Sequence, residues 1–217
     1  MLERVDLKEL PQAFGVYPPS SIVSYFIGAF LHRDEHVRWK AVYAFGLTVA
    51  KIAEAEMERA RIIIRRLMWM LNEESGGMGW GVGEGYAEAL FHSEKLKNEY
   101  LQLYLSYLWP EGNYLEFPPA QRGFAWGIGR LAQRYEEEVI KLSGHEYLVL
   151  HLSSEDPTVS FLSLWSLMQF KSLRKSLKKE DYFEALERLK HLDWKVLLFD
   201  GKTIKTYTPQ DLESLVF

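Results

Sequence analysis

The stretch from Asn72 to Leu90, NEESGGMGWGVGEGYAEAL, sets glycine at positions 76, 77, 79, 81, 83 and 85 and then runs on in an alanine-rich helical pattern. A second version lies near Ala120, AQRGFAWGIGRLAQRY, and plainer versions lie near His36, EHVRWKAVYAFGLTVA, and Pro157, PTVSFLSLWSLMQF. A chain that repeats one helical pattern builds its core between neighbouring copies, not around one central element. Aligning the copies puts Trp39, Trp80, Phe124 and Phe161 in one column, with separations of 41, 44 and 37 residues, inside the range of two-helix repeats.

Each copy is read as the second helix of an antiparallel pair. Leu2 to Leu10 is expected to form a short amphipathic helix stopped by Pro11, with Gly15 and Pro18-Pro19 as a turn. Ser20 or Ser21 then caps a helix from Ser21 to His32, and after Arg33 and Asp34 the apolar residues Val37, Ala41, Ala44, Phe45 and Thr48 mark one helical face. The second pair is Glu56 to Leu71 and Gly79 to Phe91, joined by a turn over Asn72 to Gly77. Leu96 to Trp109 and Ala120 to Tyr135 make the third, across a connection from Pro110 to Pro119. Glu136 to Leu152 and Asp156 to Lys171 make the fourth, with Asp156 as cap and Pro157 at the first helical position.

Asp34, Val37, Arg38, Ala41, Ala44 and Gly46 fit the form of a HEAT repeat, and DPTVSFLSLWSL from Asp156 resembles another. Residues 20 to 172 resemble the phycobilisome-lyase-like HEAT proteins, and ESGGMGWG and RGFAWGIGRLA resemble a bacterial subset of them. The resemblance implies a mainly α protein, a right-handed α-solenoid of HEAT or armadillo-type helical pairs. It is nearly silent on function, because such arrays serve as scaffolds, enzyme subunits and glycosylases alike.

The tail departs from the repeat. Asp181 to His191 reads as a helix, and Lys195 to Phe199 and Thr203 to Tyr207 read as strands about a type I′ turn at Asp200-Gly201. Thr208 to Asp211 has the form of a helix start. The expected organisation is therefore a repeat array over 1–172 and, over 173–217, a helix with a small C-terminal β-hairpin that caps the last repeat.

Composition narrows the chemistry. The absence of cysteine removes thiol nucleophiles, thiolate zinc sites, disulfides and iron–sulfur clusters. The most apolar run, Ile22 to Leu31, is interrupted by Ser24 and Gly28 and falls short of the roughly 20 residues of a spanning helix. MLERVDLKEL lacks the basic start and apolar centre of a secretory signal, so a cytoplasmic location is expected. A net charge of −4 gives no global attraction to phosphates, which disfavours nucleic acid as a partner.

The candidate surface follows from the alignment. Gly79 and Gly83 align with Gly123 and Gly127. Helical glycine costs about 0.5–1 kcal/mol relative to alanine, so such a stripe serves either close helix approach or a ligand lying on bare backbone. Trp80 and Trp126 would wall the second arrangement. Glu84 and Arg130 stand in columns that are otherwise apolar, on opposite helix flanks, and are expected to meet as an ion pair or a shared polar site between the second and third pairs. The candidate binding set is Trp80, Gly83, Glu84, Arg122, Trp126, Gly127 and Arg130.

Other clusters weigh less. His32 and His36 in HRDEH flank a turn and have no third ligand, so no metal is expected. The glycines follow no strand and include no phosphate-loop lysine, and no G-x-S-x-G elbow exists, so no cofactor is expected either. Arg59, Arg61, Arg65 and Arg66 read as a solvated basic face, with a nucleic-acid contact of the HEAT-like glycosylase kind as the alternative. The leading expectation is a non-enzymatic cytoplasmic scaffold that binds a protein partner on the inner face of the second and third pairs. A small-ligand or lyase-like enzymatic site in the same groove is the alternative.

Overall fold

The computed structural model describes residues 1–72, 79–175 and 179–216. It is mainly helical with one antiparallel pair of strands, and the chain divides into two compact units, Met1–Leu101 and Gln102–Phe217. Among the described residues no helix is long and apolar enough to cross a membrane.

The first unit opens with two short 3-10 turns, Leu2–Arg4 and Leu7–Glu9, and then α1, Leu10–Gly15. The expected single helix ending at Pro11 is thus corrected: Pro11 sits in the first turn of α1, where its missing N–H has no helical partner to lose. Helix α2, Pro19–Ala29, likewise starts on proline and has no side-chain cap; the Ser21 hydroxyl instead donates to the Pro18 carbonyl at 2.7 Å. Helix α3, Glu35–Ala55, begins where expected, because the Asp34 carboxylate accepts the His36 N–H at 2.8 Å. Its face of Val37, Ala41, Ala44, Phe45 and Thr48 is buried.

Helix α4, Met57–Leu71, returns along α3. The expected turn after it falls largely on residues outside the described set. Helix α5 runs Val82–His92, so Gly79, Trp80 and Gly81 precede the helix and do not open it. The cause is Gly81, which holds φ +73° as the residue before the first turn, a conformation other residues adopt only under strain. A side chain there would also press on Phe30, its Cβ 2.8 Å from that of the ring residue. Close approach explains Gly46 in α3 as well: a methyl on it would lie 2.5 Å from Glu88 Cβ and 2.7 Å from the Glu88 carbonyl carbon.

Helix α6, Glu94–Ser106, contains the boundary between the units. In the second unit, Tyr104 and Tyr107 pack on Phe124 of α7, Pro118–Lys141, at ring separations of 4.8 and 4.7 Å. The helical path breaks at Tyr135, where the sequence places a helix end: its φ −125° and ψ 43° are not helical, and a second short helical stretch follows to Lys141. The expected helix from Glu136 to Leu152 is instead interrupted by a turn in which Ser143 takes φ 59°, after which α8 spans Gly144–His151. Helix α9, Pro157–Leu167, starts on Asp156, whose carboxylate accepts the Thr158 N–H at 2.8 Å, as the sequence indicated. Gly129 of α7 lies against α9 so closely that a methyl would fall 2.6 Å from Ser166 Cα, and the Ser166 hydroxyl donates to the Ala125 carbonyl at 2.7 Å.

Helix α10, Lys179–Lys190, is tied down by Arg188, which donates to the Leu152 carbonyl at 2.7 Å and to the Ser160 hydroxyl at 3.0 Å. Strands β1, Val196–Phe199, and β2, Ile204–Tyr207, pair with Phe199 opposite Ile204. The type I′ turn at Asp200-Gly201 is corrected. Only Gly201 has positive φ, 99°, and the Asp200 N–H donates to the Thr203 carbonyl at 3.0 Å. Gly201-Lys202 is therefore the turn's centre, and type I′ needs positive φ at both central residues. The hairpin packs inside the second unit: Trp126 donates its indole N–H to the Phe199 carbonyl at 2.8 Å, and Phe161 stacks on Trp194 at 4.5 Å. After it, Thr208 and Asp211 form a capping box and α11 spans Leu212–Val216.

Candidate functional site

The residues singled out by alignment fall into different surroundings. In the first unit Trp80 sits in the turn before α5 and is 41% exposed, Gly83 is buried and Glu84 half-buried. In the second unit Trp126 and Gly127 are buried. The expectation that Trp126 walls an open surface is corrected: its ring is 0% exposed and its only donor is spent on the hairpin. Arg130, 4% exposed, donates to Gln133 Oε1 at 2.8 Å and lies 5.4 Å from the centre of the Phe199 ring. Gln133 in turn donates to the Asp200 carbonyl at 3.0 Å. These bonds pin a non-repeat hairpin to α7, and unpaired burial of the guanidinium would be expensive. Arg122 holds the α9 cap, with Nη2 2.6 Å and Nε 3.1 Å from Asp156 Oδ2.

Three helical glycines serve close packing. Gly46 meets Glu88, Gly85 meets Phe30 and Gly129 meets Ser166. Beside the first of these seams, the fully buried Glu88 carboxylate lies 2.9 Å from His92 Nε2, and the imidazole packs edge-on against Tyr43 at 5.6 Å.

The arginines of α4 are bonded to side chains of α4, α6 and α2. Arg61 donates from Nε and Nη2 to the two oxygens of Glu99, at 2.8 and 2.6 Å, and from Nη1 to Glu58 at 3.2 Å. Arg65 reaches Glu58 at 2.7 Å and Arg66 reaches the Ser24 hydroxyl at 3.0 Å. Its hydrogen bonds to the Glu99 and Glu58 carboxylates hold the Arg61 guanidinium still further into its charged range. In HRDEH, His32 Nδ1 accepts the Asp34 N–H at 3.1 Å and its Nε2 lies 3.4 Å from Glu3. Among the described residues no group of three or more His, Asp or Glu side chains is placed to hold a metal ion.

One exposed aromatic surface the alignment missed lies on the connection between α6 and α7 together with α8, all within the second unit. Trp109 lies nearly parallel to Tyr147, ring centres 6.0 Å apart and planes 14° from each other. One helical turn on, Tyr114 covers His151 at 5.9 Å. Tyr147 and His151 are four apart on α8, so the two ring pairs form a row along one helix face. Trp109 and Tyr114 are each 38% exposed, Phe117 48% and Leu150 56%.

The row is held rigidly. The Gly112 N–H donates to the Trp109 carbonyl at 2.9 Å, and a methyl on Gly112 would come 2.8 Å from the Ser106 carbonyl oxygen and 3.0 Å from the Trp109 ring. Asn113 donates to Ser106 Oγ at 2.9 Å, and the Leu115 N–H to the Tyr107 carbonyl at 3.1 Å. Gln121, 3% exposed, donates to the Tyr114 hydroxyl at 3.0 Å and the Leu115 carbonyl at 2.6 Å. His151 Nδ1 faces the Tyr147 carbonyl at 2.8 Å and must carry the proton, which leaves Nε2 as a buried lone pair. Burial pushes the His151 imidazole below its ordinary pKa, against the opposing pull of that carbonyl. Burial, with Glu146 second, raises the Tyr147 phenol.

Acidic side chains dominate this surface, with Arg188 of α10 reaching only its far end, at the Leu152 and Ser153 carbonyls. Segments 109–117 and 144–155 contain Glu111, Glu116, Glu146 and Glu155 and no lysine or arginine. Glu111 and Glu116 are exposed and make no ion pair among the described residues.

No known protein family matches the chain, and no curated protein does. It is similar to two crystal structures of engineered proteins from the Northeast Structural Genomics Consortium. One has a TM-score of 0.52 at 13% identity, over 99% of this chain and 86% of that one. The other has a TM-score of 0.48 at 14% identity, over 99% and 90%. The first likeness is one of fold alone.

Proposed function

We propose that the chain is a non-enzymatic binding protein, a cytoplasmic scaffold whose helical pairs are HEAT-like, and that it takes a protein partner on the aromatic row of the second unit. The observation that carries this reading is the conjunction of exposure and rigidity at Trp109 and Tyr114. Large rings that are already ordered offer contact area with little entropy left to lose on binding. An exposed apolar patch rimmed by polar groups is the usual form of a protein-binding surface. The row replaces the surface around Trp126 and Gly127 as the place of binding, since both are buried. The paired arginines of α4 weigh against the nucleic-acid alternative, because a guanidinium already bonded to carboxylates has less to offer phosphate.

The test is a photo-crosslinking residue placed at Leu150, beside the row, or at Ile62 on α4, 55% exposed in the first unit. In native lysate the Leu150 probe should trap one defined protein, and the purified partner should lose at least tenfold in affinity for Trp109→Ala/Tyr114→Ala. Equal trapping from both positions, or affinity untouched by that double substitution, would overturn the reading.

A further inference from the structure

We infer that the partner presents an arginine-bearing basic segment, whose guanidinium groups lie on the rings of Trp109 and Tyr114 while the carboxylates of Glu111 and Glu116 neutralise them. The inference rests on the proposed binding role of the aromatic row and adds the chemistry of what binds there.

Charge is the first argument. The loop that carries both exposed rings also carries Glu111 and Glu116, and neither has a cationic partner among the described residues. Glu111 lies inside the tight turn closed by the Gly112 N–H on the Trp109 carbonyl, which fixes its backbone two residues from the indole. Glu116 stands between Leu115, held by the Tyr107 carbonyl, and the exposed Phe117. Like charges held along one short loop repel each other, and a cation removes that cost when it arrives. The nearest arginine in the sequence, Arg122, is committed to Asp156 and does not supply that cation.

Ring chemistry is the second argument. The faces of indole and phenol rings attract cations, by about 0.5–1 kcal/mol at exposed sites and more when water is excluded. Guanidinium suits the arrangement better than ammonium, because its plane stacks on a ring while its edge donates paired hydrogen bonds to a carboxylate. An acidic partner would meet Glu111 and Glu116 beside the rings, neither paired with a cation among the described residues. A neutral proline-rich segment could use the rings but would leave the carboxylates without a role.

The experiment measures binding of short labelled peptides to the full chain by fluorescence anisotropy. One peptide carries arginines spaced by serine and glycine, a second replaces every arginine with glutamine, and a third is neutral and proline-rich. The arginine peptide should bind at least about tenfold tighter than either other, a difference of about 1.4 kcal/mol. Its affinity should fall with added salt, as screened pairing requires. Glu111→Gln/Glu116→Gln touches no buried group, so folding is not at stake, and it should remove most of the advantage over glutamine. Equal affinity for the arginine and proline-rich peptides, with both lost in Trp109→Ala, would overturn the cationic chemistry and leave the binding role standing. No binding of any peptide that depends on Trp109 would overturn both.

Discussion

Helix α4 of the first unit and the 107–117 connection of the second each expose a tryptophan, yet they are built in opposite ways. On α4, Trp69 is 67% exposed, makes no ring contact among the described residues, and stands in a helix whose arginines are bonded to Glu58, Glu99 and Ser24. In the connection, Trp109 is less exposed but lies on Tyr147, and the loop is tied at Gly112, Asn113, Leu115 and Tyr114 while Glu111 and Glu116 have no counter-charge among the described residues. Exposure alone therefore does not mark a binding surface. On the proposed reading, order in the apolar groups and an unmet charge beside them do, because the first lowers the entropy cost of binding and the second selects what binds.

The interiors of the units are more alike, and the largest predicted effects test that likeness. Glu88→Ala should cost about 3 kcal/mol, since it opens a cavity at a fully buried site and takes a hydrogen-bond partner from His92, and thermal melting will show it. Peptide binding at the aromatic row should survive in whatever fraction stays folded. Gly46→Ala and Gly129→Ala come next. Each forces a methyl to within 2.5–2.8 Å of a facing residue's backbone or Cβ, and should cost about 1–3 kcal/mol by urea unfolding despite alanine's better helix propensity. A neutral result at one site and not the other would break the parallel between the two seams.

Acidification should separate the units again. Burial holds His145 and His151, both in the second unit, below the ordinary imidazole pKa. The unfolded chain therefore takes up their protons first. Their contribution is full above about pH 6.5 and is lost as the pH falls below it, by up to about 1.4 kcal/mol per pH unit for each group. Melting temperatures measured from pH 7 to pH 5 should fall, and His151→Gln should flatten the slope. The smallest effect is expected at Ser143, whose φ of 59° is strained for a residue with a side chain; Ser143→Gly should stabilise the turn before α8 by about 0.5–1 kcal/mol.

What the sequence made legible was local. Asp34 and Asp156 cap helices from two or three residues away, and the hairpin and the Thr208–Asp211 box are written in adjacent residues. The misplaced start of α5 came from treating Gly81 as one more helical position, when its positive φ breaks the helix there. Arg130 read as a charge in an apolar column, but its partners include Phe199 from a tail that has no counterpart in the repeat, so no alignment of repeats could supply it. The aromatic row was hidden for a related reason. Trp109 and Tyr114 lie in a connection without periodicity, and only the fold brings α8 beneath them. A loop carrying Trp109, Tyr114 and Phe117 beside two glutamates was the available signal.

Hydrogen–deuterium exchange of the full chain, with and without the arginine peptide, tests the contrast between the two surfaces most directly. The account predicts slowed exchange confined to segments 107–117 and 144–152, with α4 unchanged. Protection centred on residues 57–71, or spread evenly over both units, would contradict it.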